Sequence, residues 1–202
     1  PTRRSSVLVE RVRQEGQTTG PSGQGPYMIF LGALALIADK PGEEWAVESG
    51  LRIIDYILEH HVALDDSSDH ALRYDLWENI DHERRPFVEN EKLVSDPGHS
   101  IEFVGLAATF LDRISNRRRP DASPALDKKK IVHIRGLLPD ILFRNFENGF
   151  QPEVGGICKT FDCISRKPIN DDMPWWSLPE TMRSAAMIGV SAKSEDITSR
   201  CL

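Results

Sequence analysis

The feature that most constrains the fold is an alternation between helices that are apolar all round and helices that are apolar on one side. The run 27–38 is apolar on nearly every face, which indicates a helix buried on most sides. The next predicted helix, 43–62, has apolar residues at helical spacing with charges between them. The alternation repeats in an apolar helix that begins at Pro97 and an amphipathic one over 125–147, where Pro139 should cause a kink or break. Pairs of inner and outer helices predict an all-α fold, a helical toroid.

The remaining segments complete a single-domain organisation for the 202 residues. Residues 1–26 are expected to be a lead-in, with a short strand near Val7–Val9 followed by a loop rich in Gly and Pro. Residues 65–95 form a long polar and aromatic stretch, and loops of that length are usually functional. Ser194 begins a helix close to the last residue. The predicted helices are about half of those a toroid needs, so we expect 1–202 to be an incomplete barrel domain.

Composition excludes several classes of protein. Hydrophobic residues make up 40% and charged residues 28%, which is typical of a globular protein and argues against disorder or a membrane span. The net charge is -6, and the basic runs Arg117–Arg119 and Lys128–Lys130 form no continuous stripe, so a nucleic-acid partner is not expected. Cys158, Cys163 and Cys201 lack zinc-type spacing, and their odd number favours a reducing compartment. We therefore expect a cytoplasmic protein.

The start of the helix at Pro97 carries an ionisable pair. Asp96 can accept the free N–H groups of the first turn, and Pro97 suits the first helical position. His99 and Glu102 are then three residues apart on one face. The helix dipole lowers the pKa of His99, whereas the carboxylate of Glu102 raises it, so the ring could exchange protons near neutral pH. The structural alternative is a capped first turn with no chemical role.

A second cluster follows a predicted hairpin that begins at 157–164. The adjacent Trp175 and Trp176 could stack on the C–H face of a sugar or could pack into the core. Ser177 and Glu180 match a capping box, in which the serine accepts the N–H of Glu180 and the glutamate reaches back. Glu180 therefore has both a structural and a functional interpretation.

Together the two clusters resemble a known family. Asp-Pro-Gly-His-x-x-Glu at 96–102, a Gly-Gly hairpin, and Trp-Trp-x-x-x-Glu at 175–180 resemble the N-acylglucosamine 2-epimerase family, which includes cellobiose 2-epimerases and aldose–ketose isomerases. The resemblance covers roughly 25–190. It implies that these elements line the mouth of an (α/α)6 barrel, with the hairpin beside the cleft.

The resemblance also implies roles for the residues. His99 would act as an acid/base in ring opening or in proton transfer at the carbon beside the carbonyl. Glu102 and Glu180 would position the sugar or tune the histidine, and Trp176, beside Trp175, would form an apolar wall. The chemistry implied passes through a cis-enediol and uses no cofactor, neither a metal nor a nicotinamide.

The long loop adds two further candidates, because loops at the mouth of a toroid commonly supply binding residues. Trp77 and Glu78 are expected to contact the substrate. The other histidines receive structural interpretations. His60 and His61, for example, end a helix, where an imidazolium complements the dipole.

The sequence departs from the family pattern on an earlier inner helix. Where the family has a histidine and a glutamate, this chain has Ile29 and Gly32. A second catalytic histidine, expected near the end of a full-length member, has no counterpart here. Epimerisation by proton removal and return needs a second group. The departures put the usual epimerase substrates in doubt.

Three functions therefore remain open. The first is a carbohydrate epimerase or isomerase acting on an open-chain aldose. The second is an (α/α)6 glycoside hydrolase, with Glu102 and Glu180 as its carboxylates. The third is a non-catalytic protein that keeps the fold and binds a sugar or another protein. The expected partner is a small-molecule sugar, without nucleic acid or membrane, and a homodimer is the assembly to test.

Overall fold

The computed structural model describes residues 21–64, 70–116, 127–192 and 194–202. The strand predicted near Val7–Val9 and the basic run Arg117–Arg119 lie outside these ranges. The described residues contain six α-helices: α1 Gly25–Ala35, α2 Glu44–His60, α3 Pro97–Asn116, α4 Lys128–Gly149, α5 Ser177–Ser191 and α6 Glu195–Arg200. A short 3-10 helix covers His70–Leu72.

Helix α3 lies at the centre of the packing. It contacts α1, α4 and α5, while α2 packs mainly against α1, and α6 packs against α5. Most of its side chains are buried, including Phe103, Val104, Phe110 and Leu111. The apolar character of α3 on several faces therefore reflects neighbours on several sides. Helix α3 is thus an inner helix. Helix α1 does not meet the expectation of burial on most sides, because it exposes Ile29 and Phe30. A closed toroid stays a prediction.

Local sequence signals explain several helix ends. Asp127 precedes α4, and its side chain accepts the backbone N–H groups of Lys129 and Lys130. Ser194 precedes α6 and accepts the N–H of Ile197, as expected for an N-cap serine. Helix α4 continues through Pro139, so the break considered for this position does not occur.

Eight short strands among the described residues correct the expectation of an all-α fold with one hairpin and one lead-in strand. They are β1 Ser22–Gly23, β2 Asn79–Ile80, β3 Val88–Glu89, β4 Lys92–Ser95, β5 Phe150–Gln151, β6 Gly156–Ile157, β7 Thr160–Asp162 and β8 Lys167–Asn170. Strands β3, β4, β7 and β8 form one antiparallel sheet in that order, and β1–β2 and β5–β6 form two-stranded sheets. The protein is helix-rich with small sheets at the helix ends.

A buried ionic network fixes the long loop that follows α2. Asp75 is fully buried, and its carboxylate accepts hydrogen bonds from Arg144 (Nε, 2.6 Å), Arg166 and Asn148 (Nδ2, 2.9 Å). A buried carboxylate needs such partners because desolvation of the charge is costly. The network ties the loop to α4 and to the β7–β8 hairpin. Pairing of β1 with β2 places Glu78, which precedes β2, beside Gln24 at the start of α1.

The described helices also bear on the class of protein. None of them is long and apolar enough to cross a membrane. All three cysteines are free thiols, and burial raises the pKa of Cys158 to about 11. A thiol with so high a pKa is a poor nucleophile, so Cys158 acts as an apolar packing residue.

Candidate active site

His99 lies in the first turn of α3, where the sequence predicts it. Helix α3 begins at Pro97, and Oδ1 of Asp96 accepts the backbone N–H of His99 at 3.2 Å. Asp96 therefore satisfies a free donor of the first turn. The imidazole is half-buried, with 27% of its side chain exposed.

Two carboxylates face Nδ1 of His99. Oε2 of Glu78 and Oδ2 of Asp96 each lie 3.3 Å from it. Burial is the largest single influence and lowers the pKa of His99, but the hydrogen bond to Glu78 and the charges of Asp96 and Glu78 outweigh it, so the pKa is raised. The sequence pattern predicts that Glu102 raises the pKa of His99. This prediction is wrong, because Glu78 and Asp96 are the carboxylates that raise it.

Glu78 has a second partner that the sequence did not single out. Nε2 of Gln24, a fully buried residue, donates to Oε2 of Glu78 at 3.2 Å, and the backbone N–H of Gln24 donates to the carbonyl oxygen of Glu78 at 3.0 Å. Burial raises the pKa of Glu78, but hydrogen bonds and charges, chiefly from His99, lower it overall. Gln24 and His99 therefore hold Glu78 as a carboxylate.

Trp176 stacks on His99, whereas Trp175 does not take part. The ring centres of Trp176 and His99 are 5.5 Å apart and their planes are inclined by 22°. A Cβ atom at Gly98 would lie 2.9 Å from the Trp176 ring, so only glycine leaves room for the indole. Trp175 is 84% exposed. The adjacent tryptophans thus separate into one ring against the histidine and one in solvent.

The charge of Glu180 acts on Glu102. Burial raises the pKa of Glu102, and the charge of Glu180 raises it further, so Glu102 retains its proton at higher pH than a free glutamate. Glu180 forms a salt bridge with Arg183, whose Nε lies 2.8 Å from Oε2. The residues grouped by sequence motif are therefore brought close across α3 and α5.

The capping box predicted at α5 is absent. Trp176 occupies the N-cap position without a side-chain capping bond, and Ser177 is the first helical residue. The hydroxyl of Ser177 donates to the carbonyl oxygen of Pro174 at 2.7 Å. Glu180 is thus bound to Arg183 rather than to the helix start, and the purely structural interpretation based on capping is wrong.

Trp77 and His61 form a separate, buried arrangement. The indole N–H of Trp77 donates to the carbonyl oxygen of His60 at 2.9 Å, and the ring packs with Ile80 and other apolar residues. The side chain of Trp77 is 7% exposed and packs in the core, and its contact with a substrate stays a prediction. His61 is fully buried, and burial lowers its pKa, which disfavours the imidazolium expected at a helix end.

Ile29 and Gly32 of α1, which differ from the family pattern, have different surroundings. Ile29 is exposed. A Cβ atom at Gly32 would lie 3.1 Å from Cδ2 of Leu106, so a larger residue there would press against α3. Gly32 is therefore a close-packing position between α1 and α3. Across the residues that the structure describes, no group of three or more His, Cys, Asp or Glu side chains is arranged to hold a metal ion.

Comparisons with known proteins give structural matches alone. No protein-family model and no curated protein sequence matches the chain. The fold is similar to that of D-mannose isomerase, with a TM-score of 0.65 and 15% identity over 90% of this chain and 41% of that one. Cellobiose 2-epimerase from Bacillus thermoamylovorans B4167 gives 0.59 and 17% over 87% and 38%. The enzyme from Spirochaeta thermophila DSM 6192 gives 0.61 and 10% over 91% and 42%.

The matches cover only part of each solved structure. The chain spans about two fifths of the length of the solved structures that it resembles. At such low identity the likeness shows the fold alone, and a shared fold does not assign roles to residues. Over the part that it covers, the chain has the fold of the N-acylglucosamine 2-epimerase and cellobiose 2-epimerase family.

Proposed function

We propose that this chain carries an acid/base site of a carbohydrate isomerase or epimerase acting on an open-chain aldose. The observation that supports this most directly is the position of His99, whose Nδ1 faces the carboxylates of Glu78 and Asp96 while its ring stacks on Trp176. We also propose that the complete protein forms an (α/α)6 toroid, acts on a small-molecule sugar and is cytoplasmic.

The contacts of Nδ1 determine what the other ring nitrogen can do. When Nδ1–H donates to Glu78, Nε2 is the basic nitrogen and can accept a proton from a substrate. In the proposed reaction Nε2 removes the proton from the carbon beside the carbonyl. The electron pair moves to the carbonyl oxygen, which gives a cis-enediolate, and a proton from Glu102 on that oxygen gives the cis-enediol. The imidazolium formed in this step is stabilised by the charges of Glu78 and Asp96.

The return of the proton decides the product. Delivery to the former carbonyl carbon gives a ketose, and delivery to the opposite face of the original carbon gives the 2-epimer. His99 alone can serve the first route, whereas the second needs a second acid/base group. Glu102 has a raised pKa and is the proposed proton donor to a sugar oxygen, with Glu180 beside it positioning a hydroxyl.

Trp176 supplies the proposed apolar wall. Its indole is held between Gly98 and the imidazole of His99, so its position is fixed before a substrate binds. A fixed aromatic face can contact the C–H groups of a sugar chain at little entropic cost. Trp176 should therefore act mainly on binding, whereas His99 acts on the chemical step.

Hydrogen exchange tests the proposal. The complete protein, incubated with a panel of aldoses in D2O, should introduce deuterium at the carbon beside the carbonyl, measured by mass spectrometry. His99→Asn should lower the exchange rate on the order of a hundredfold to ten-thousandfold, because the acid/base group is lost. His82→Asn removes an exposed imidazole and is the matched control.

Other outcomes would contradict the proposal. Undiminished exchange in His99→Asn would remove His99 from the mechanism. Cleavage of a glycoside without exchange would favour the hydrolase, with Glu102 and Glu180 as the carboxylate pair. Binding of a sugar with neither reaction would favour a non-catalytic protein.

A further inference from the structure

Lys159 is a cation beside the candidate site that no sequence motif singled out. It lies between β6 and β7, where the neighbouring Cys158 donates its backbone N–H to the carbonyl oxygen of Gly149 at 2.9 Å. Its Nζ contacts Oδ2 of Asp96 and lies 5.6 Å from the centre of the Trp176 ring. The side chain is 35% exposed, so the ammonium group is partly withdrawn from water.

Asp96 links Lys159 to the imidazole. Its side chain is only 3% exposed, and a carboxylate so deeply buried needs a compensating charge. Oδ1 accepts the backbone N–H of His99, while Oδ2 lies between Nδ1 of His99 and Nζ of Lys159. Asp96 thus has a cation on one side and an ionisable ring on the other.

The two carboxylates near His99 differ in their other partners. Asp96 is paired with Lys159, a full positive charge. Glu78 is hydrogen-bonded by Gln24, a neutral amide. A carboxylate in direct contact with a lysine attracts an adjacent imidazole N–H less strongly than one on which the lysine charge acts only from a distance, as it does on Glu78.

We propose that Lys159 is a positioning residue for the acid/base reaction. By neutralising Asp96, it makes Glu78 the carboxylate that accepts the Nδ1–H bond of His99. Its ammonium group also holds the Trp176 indole by a cation–π contact. This inference rests on the proposed function of His99, although its first test does not require activity.

The charged groups that act on His99 come from several parts of the chain. The long loop contributes Glu78, the residue before α3 contributes Asp96, and α3 contributes Glu102, on which Glu180 and Arg183 of α5 act in turn. Lys159 comes from the β6–β7 turn. Its charge opposes protonation of His99, so its removal should raise the pKa of the imidazole.

A titration of His99 by NMR tests the inference directly. In Lys159→Met, the midpoint of the His99 signal should rise by about 0.5 to 1 pH unit, because Asp96 then presents an unpaired charge to Nδ1. Lys159→Arg keeps the cation and should leave the midpoint near that of the wild type. Lys167→Met removes an exposed lysine of β8 and is the matched control.

A second pair of variants tests whether Lys159 acts through Asp96. In an Asp96→Asn background, Lys159→Met should shift the His99 midpoint much less, because position 96 then has no negative charge that the loss of Lys159 could leave unpaired. An equal shift in both backgrounds would overturn the proposed route through Asp96. If Lys159→Met does not fold, Lys159→Gln removes the charge and keeps a donor for Asp96.

The dependence of activity on pH separates the two proposals. The acidic limb of kcat/KM in Lys159→Met should move to higher pH by the same interval as the NMR midpoint. A shifted midpoint in a protein without sugar activity would support the positioning role and reject the proposed function. A folded Lys159→Met protein with an unchanged His99 midpoint would reject the positioning role, whatever its activity.

Discussion

His61 and His99 both contact the segment Trp77–Glu78, but their pKa values are shifted in opposite directions. Nδ1 of His61 lies 3.1 Å from the backbone carbonyl oxygen of Trp77, and the ring is fully buried. Nδ1 of His99 lies 3.3 Å from the side-chain carboxylate of Glu78. The pKa of His61 is lowered, mainly by burial, while that of His99 is raised by its carboxylate partners in spite of burial.

The contrast shows which influence dominates. His61 follows the C-terminus of α2, where the helix dipole favours an imidazolium, and His99 lies near the N-terminus of α3, where it disfavours one. Both pKa shifts run against the dipole. A helix end contributes about 0.3 to 1 kcal/mol, which is less than the effect of burying a charge or pairing it. A carbonyl can accept the N–H of a buried ring, but only a carboxylate also balances its charge.

Removal of the Glu78 charge should have the largest effect on this contrast. Glu78→Gln keeps the size of the side chain but leaves His99 without its main hydrogen-bonded anion. In the complete protein, kcat should fall about a hundredfold, because the imidazolium formed during reaction is less stabilised. Steady-state kinetics with Glu83→Gln, an exposed glutamate, as the control would check this. An unchanged kcat would show that Glu78 does not support the reaction.

Removal of the stacked indole should have a smaller effect, and on a different parameter. Trp176→Ala should raise KM roughly threefold to tenfold with less change in kcat, since an aromatic contact contributes about 0.5 to 1.5 kcal/mol. Trp175→Ala, which removes the neighbouring exposed ring, should change KM less. A loss confined to kcat would indicate that Trp176 orients His99 instead of contacting the sugar.

The smallest expected effect is on the pH dependence of stability. The folded pKa of His61 lies below its ordinary value of 6.5, so its contribution to the free energy of unfolding should decline as the pH falls below 6.5. The folded pKa of His99 is raised, so its contribution is present below 6.5 and is lost as the pH rises through the folded pKa. Each pKa unit corresponds to about 1.4 kcal/mol.

Urea unfolding at a series of pH values would measure both slopes. His61→Asn should flatten the acidic slope, and His99→Asn should flatten the one above pH 6.5. The account would be contradicted if His61→Asn changed only the alkaline side. His82→Asn, at an exposed position, should leave both slopes in place.

The part of this site that follows local rules could be predicted from the sequence. Asp96, Pro97 and His99 are neighbours in the chain, and capping and helical spacing set their arrangement. The inner position of α3 followed from its apolar faces. The family resemblance implies that Trp176 and His99 line the same mouth of the barrel, and their rings are stacked in the structure.

The partners that determine the state of His99 could not be predicted in the same way. Glu78 is 21 residues from His99, and Gln24 is 54 residues from Glu78. Their meeting depends on the β1–β2 pairing and on the anchoring of the loop by Asp75. Lys159 is 63 residues from Asp96. Such contacts arise from tertiary packing, and neither hydrophobic period nor local motif encodes them.

The most direct measurement is a histidine NMR titration of the wild type and of Glu78→Gln. We expect His99 to titrate above 6.5 and His61 below it, and we expect Glu78→Gln to lower the His99 midpoint while the His61 midpoint stays in place. A His99 midpoint at or below that of His61, or one that does not respond to the loss of the Glu78 charge, would show that the carboxylates do not control the imidazole.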